Sequence, residues 1–185
     1  MKFLILTTLI AAALSPIASA ATPTPYAGQE TRDIKSLSQE DINGYLAGKG
    51  MGLAKAAELN GYPGPMHVLE LAAELQLTPD QKTKTKQLFD AMQAKASMLG
   101  SELVTAEQKL DRLFASRSAN AELVDSALKD IGALQAKVRG AHLEAHLAQA
   151  KILTPEQTAR YISLRGYGKQ AAGAEHGGHG GRHKH

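Results

Sequence analysis

Apolar side chains recur through the middle of the chain at helical spacing. Positions 88, 92, 96, 99, 103, 106, 110 and 113 are all apolar, at steps of three and four residues. That spacing keeps one face of an α-helix continuously apolar. After Pro79 no proline appears until 155, and glycine interrupts the stretch only at 100, 132 and 140. One helix is predicted from 79 to about 117. Ser118-Ala119-Asn120 breaks the pattern, and Asn120 suits the N-cap of a following helix. Val124, Leu128, Ile131, Leu134 and Val138 form its seam, and it should run to about Lys151. So short a connection makes the two helices antiparallel neighbours. Shorter elements flank this hairpin. Ser38 and Asp41 read as a capping box for a helix ending near Gly48. Met51 to Leu59 and Met66 to Leu75 suit two more short helices, separated by the turn Tyr62-Pro63-Gly64-Pro65. A last helix should span 155 to 165 and stop at Gly166. The fold predicted is all-α: a long antiparallel helical hairpin with short flanking helices.

Two pentapeptides open helices by the same logic: Leu77-Thr78-Pro79-Asp80-Gln81 and, 76 residues later, Leu153-Thr154-Pro155-Glu156-Gln157. Thr stands at N-cap, Pro at N1, an acid at N2 and Gln at N3. The hydroxyl of Thr78 or Thr154 caps the N3 amide, and Gln81 or Gln157 reaches back to the N-cap amide. The acid faces the positive end of the helix dipole.

This repeat, at the starts of predicted helices flanking a long hairpin, resembles the LTXXQ-motif family of bacterial periplasmic proteins. That family includes Spy- and CpxP-like envelope-stress chaperones and related zinc-associated and metal-sensing proteins. The resemblance covers roughly residues 66 to 166. It implies a thin Spy/CpxP-like helical hairpin, usually dimeric, with no ATP and no catalytic residues. Residues 26 to 65 depart from the family's pattern.

The first twenty residues read as an address. Lys2 gives a positive start, Phe3 to Leu14 an apolar run, and Ala18-Ser19-Ala20 the small residues that signal peptidase accepts. The run is too short for a transmembrane anchor. A cleavable signal peptide at 1–20 implies a periplasmic protein. The mature chain then divides into an N-terminal extension with short helices at 21–65, the helical domain at 66–166 and a disordered Gly/His-rich tail at 167–185.

Composition narrows the chemistry. Among 185 residues there is no cysteine, so disulfides and cysteine-based metal or redox sites are excluded. Aromatics make up 4% of the chain, without Trp, which suits a thin helical protein better than a thick core. The net charge of +3 carries no basic run interleaved with aromatics, so nucleic acid is not an expected partner. No nucleophile elbow, Walker loop or zinc-protease motif is present, and the chain does not read as an enzyme. Gly48-Lys49-Gly50-Met51-Gly52 lacks the Lys-Ser/Thr ending of a phosphate loop.

Histidine is the informative residue. His142 and His146 stand at i, i+4 on one helix face, where both can bind one metal ion. Reflection through a turn near 119 sets His142 opposite Ala96 and His146 opposite Met92. A His-His-Met set favours a soft ion such as copper. Glu144 points elsewhere. His67 precedes Val68 as a weaker candidate beside a helix start. The tail carries His176, His179, His183 and His185 among glycines, and should bind zinc, nickel or copper weakly without a closed geometry.

Leu143 and Leu147 lie away from the second helix's main seam. They give it a further apolar face, with Arg139 and Lys151, and Lys137, Arg160 and Arg165, nearby. Such a face suits packing on the last helix, a second subunit or a client. Two functions follow as expectations. The first is an ATP-independent periplasmic chaperone that binds unfolded proteins. The alternative is a heavy-metal binding or sensing protein for zinc, copper or nickel. An adaptor to a membrane sensor kinase fits the same fold.

Overall fold

The computed structural model describes residues 24–167, and the signal sequence and histidine tail predicted at the two ends lie outside them. Residues 24–31 form a small unit of turns by themselves. From Arg32 onward the described chain contains six helices and no strand. They are α1 (Gln39–Leu46), α2 (Lys55–Glu58), α3 (Pro65–Glu70), α4 (Pro79–Ala115), α5 (Ala121–Ile152) and α6 (Pro155–Leu164). This is the all-α hairpin expected, with α4 packed against α5. None of these helices is long and apolar enough to cross a membrane.

The helix starts follow the predicted cap chemistry. Thr78 Oγ1 accepts from the Gln81 amide at 3.2 Å while Gln81 Oε1 accepts from the Thr78 amide at 3.1 Å. Thr154 and Gln157 repeat the exchange at 3.2 and 2.9 Å. Ser38 and Asp41 form the third capping box, and Asn120 caps α5 through its side-chain oxygen. Arg117 takes a left-handed conformation, φ 57°, just past the end of α4 and turns the chain back.

Two apolar clusters hold the helices. Ala96, Leu99 and Leu103 of α4 meet Ile131, Val138 and Ala141 of α5, with Tyr45 and Leu53 packed on them. At the open end of the hairpin, Val68, Leu75, Leu77, Leu153 and Tyr161 form the second cluster. Leu77 and Leu153, which open the two pentapeptides, are thus core residues. Leu128 departs from its predicted seam position and is 53% exposed. Beside it Ala127 is half-buried and Ile131 buried, and Leu128 stays at the edge.

The N-terminal extension runs back along α4. Lys35 pairs with Asp111, Ser36 Oγ donates to Glu107, Ser97 Oγ donates to the Leu46 carbonyl at 2.5 Å, and Gln93 Nε2 donates to the Ala47 carbonyl. Gly100 lets the Tyr45 carbonyl approach α4 so closely that a Cβ there would collide with it. Two predicted helices are shorter than expected. Met51 and Gly52 adopt positive φ, 44° and 78°, so α2 begins only at Lys55. The third helix starts at Pro65, which is tolerated at N1 because its missing N–H is one that helix starts leave unpaired, and it yields to turns after Glu70.

Candidate metal site

The strapped extension sets residues 48–67 over the inner part of the hairpin. Between them lies a cavity of about 620 Å³. Its floor is Phe89 and Met92 of α4 with His142 and His146 of α5, and its opposite wall includes Met51, Glu58, Gly64, Met66 and His67.

His146 is held in one tautomer. Its Nδ1 lies 2.7 Å from the Tyr62 carbonyl oxygen. A carbonyl only accepts, so Nδ1 carries the proton and donates it, and the neutral ring keeps its lone pair on Nε2. Gly64 covers that edge without filling it: a Cβ there would stand 2.8 Å from His146 Cε1 and 3.0 Å from Nε2. The ring is therefore oriented by a backbone oxygen, and its Cε1–Nε2 edge packs closely against Gly64, where no Cβ has room. This is the outer-shell arrangement that prepares an imidazole for a metal.

His142, one turn earlier, is 3% exposed, and its Nε2 has no hydrogen-bond partner. Burial, and then the charge His146 would carry, hold its pKa below the usual value, which favours the neutral ring.

Glu58 stands behind His146. Its Oε2 lies 3.7 Å from His146 Nδ1 and accepts the Gly64 amide at 3.2 Å. Its Oε1 accepts the Tyr161 hydroxyl at 2.5 Å and forms an ion pair with Arg165 Nε at 3.4 Å. Burial and this carboxylate keep the Tyr161 phenol protonated far above its ordinary range. Glu58 is thus already partnered and serves to fix the wall rather than to offer a free ligand.

The expected trio of Met92, His142 and His146 does share one cavity. His67 sits at its rim, with Nδ1 2.8 Å from Glu70 Oε2. No three His, Asp or Glu side chains of the described residues are grouped closely enough to hold an ion on their own. Glu144 lies outside the cavity and pairs with Lys95 across the hairpin at 2.8 Å. His176, His179, His183 and His185 fall outside the described residues. Leu143 is half-buried, while Leu147, Arg139 and Lys151 are exposed and do not line the cavity. Arg165, expected beside that apolar face, is instead drawn to Glu58 and the Tyr167 hydroxyl. Met51, Glu58, Gly64 and Met66 are not among the site residues that the sequence pattern predicts. The Gly48-x-Gly50-x-Gly52 spacing and the Pro63-Gly64-Pro65 turn are the traces they leave in the sequence.

A family model described as heavy-metal resistance matches residues 46–160. The match begins within the extension, ahead of the resemblance at 66–166, and takes in the cavity's Met51, Glu58, Met66, Met92, His142 and His146. No curated protein and no solved structure matches the chain.

Proposed function

The chain belongs to the heavy-metal resistance family, and on that premise we propose that it is a periplasmic metal-binding protein that captures metal ions between α5 and the N-terminal extension. His142 and His146 are the nitrogen ligands in this reading, and Met92 is the third. The observation that carries it is His142. A buried imidazole nitrogen without a partner costs on the order of 1–3 kcal/mol, and the residue that carries it, His142, lines the same cavity as a second imidazole whose tautomer leaves Nε2 free. An ion would supply the missing partner to both. The pattern of residues 1–20 supports export, and the glycine-spaced tail histidines would add weak, open sites for zinc, nickel or copper.

Calorimetric titration of the full chain with zinc, nickel and copper, beside the His142→Ala/His146→Ala variant, tests this. The tail is common to both, so the difference isolates the cavity. One tight equivalent should vanish in the variant. Identical titrations would remove the cavity as a metal site.

A second reading has its own observation. Leu147 is 52% exposed, and Leu123, Leu128 and Phe114 are exposed along the far part of the hairpin. Such a surface suits loose, ATP-independent contact with unfolded periplasmic proteins, or cover by a second copy or a membrane sensor kinase.

A further inference from the structure

The donors around the cavity are unusually concentrated. All three histidines among the described residues line it, and so do three of the four methionines, Met51, Met66 and Met92. The thioethers come from three different places: the glycine-rich loop before α2, the first turn of α3, and α4. Met51, a lining residue, packs its sulfur on Gly44 of α1, where a Cβ would lie 2.5 Å from Sδ.

The charges around these donors are as telling. Lys49, Lys55 and Arg165 line the cavity, and Glu58 is its one carboxylate. Both Glu58 oxygens are engaged, by Tyr161, Arg165 and the Gly64 amide. What remains for an ion is a set of neutral nitrogen and sulfur donors inside a positively charged rim. A divalent ion would meet no free compensating anion there, and stripping it of water costs more the higher its charge. Neutral thioethers are poor ligands for hard ions and good ones for soft monovalent ions.

We infer that this cavity selects a soft monovalent d¹⁰ cation, copper(I), held by imidazole nitrogen from His142 and His146 and by thioether sulfur from Met92 with Met51 and Met66. The inference rests on the metal-binding reading above and adds the class of ion and the two outer sulfur ligands.

X-ray absorption of the full chain loaded anaerobically with one equivalent of copper(I) tests it directly. The chain has no cysteine, so any sulfur in the copper shell is methionine, and the tail histidines cannot imitate it. Sulfur scatterers are expected, and the Met51→Leu/Met66→Leu/Met92→Leu variant should lose them. Competition against a copper(I) chelator should show affinity about 100-fold weaker in that variant, while Met51→Leu/Met66→Leu, which spares Met92, should leave zinc affinity unchanged. Silver(I), which has no accessible second oxidation state, should follow copper(I). Met98→Leu should bind like the unaltered chain. A nitrogen-only copper shell in the unaltered chain, or undiminished affinity in the triple variant, overturns the inference. If zinc binding is still lost in His142→Ala/His146→Ala, the metal-binding reading survives that result. If neither ion responds to the histidine changes, both fall.

Discussion

Gln81 and Gln157 exchange amide hydrogen bonds. Gln81 Nε2 donates to Gln157 Oε1 at 2.8 Å, and Gln157 Nε2 donates back to Gln81 Oε1 at 3.0 Å. Each amide nitrogen also reaches a carbonyl across the molecule, Ile152 for Gln81 and Leu75 for Gln157. Each amide oxygen still closes its own capping box. The two repeated pentapeptides are therefore one interlocked structure, joining the starts of α4 and α6. This explains the amide at N3. A glutamate caps a helix as well, but it has no N–H to give.

Gln157→Glu should accordingly destabilise the protein. It leaves the Leu75 carbonyl and Gln81 Oε1 facing an acceptor, at a cost of about 2 kcal/mol. A carboxylate near a helix N-terminus returns only about 0.3–1 kcal/mol. Urea unfolding followed by circular dichroism should show a lower midpoint. A midpoint equal to that of the unaltered chain would mean that the exchange contributes nothing.

His142→Leu should have opposite effects on stability and on binding. Removing a buried nitrogen without a partner should raise the stability of the metal-free protein by about 1 kcal/mol. The same change should abolish the tight metal equivalent. Loss of stability on this substitution would show that the imidazole is a satisfied core residue.

The same histidine predicts a pH dependence for the metal-free chain. Its folded pKa lies below the ordinary value, chiefly through burial. In the unfolded chain it titrates near 6.5. Above that value both states are neutral and it contributes no slope. As pH falls below about 6.5, the unfolded chain takes up a proton that the folded one refuses, so stability declines until the folded pKa is reached. Denaturation midpoints in chelator at pH 7.5 and 5.5 should differ, and the difference should shrink in His142→Leu.

Gly64→Ala tests the space beside His146. The backbone there, φ −85° and ψ 142°, accepts alanine, so strain is not at issue. The new methyl would press on the Cε1–Nε2 edge of a ring pinned by the Tyr62 carbonyl. Metal affinity should fall at least about tenfold with a stability loss of about 1–2 kcal/mol. Unchanged titration would place the ion elsewhere.

Leu147→Asp separates the second reading from the first. The side chain is half in solvent, so stability should move by no more than about 0.5 kcal/mol, and metal binding should not move at all. Suppression of aggregation of an unfolded client should weaken. If it persists in both Leu147→Asp and Leu143→Asp, the apolar face of α5 is not where clients bind.

The hairpin was legible because its signals are local. Three-and-four spacing marks 88–113, and each cap is spelled within five residues. The i, i+4 spacing of His142 and His146 was legible for the same reason, and reflection through the turn brought Met92 to them. Met51 and Met66 were not legible as ligands. Their positions depend on Ser97 and Gln93 holding the Leu46 and Ala47 carbonyls and on Gly44 and Gly100 admitting close neighbours. Contacts between segments some fifty residues apart leave no period in the chain. Leu128 shows the converse: its spacing was right for the seam, but a two-helix layer does not have the width to cover it.

The cavity's two walls belong to distant stretches of one polypeptide, residues 48–67 and the hairpin residues from 89 to 146. An ion ligated from both sides is a crosslink. In a chain without cysteine it would do what a disulfide does in exported proteins, closing a long loop and narrowing the unfolded ensemble. Unlike a disulfide, such a crosslink would form and open with ion concentration, and the firmness with which the extension grips α4 would follow the metal around it.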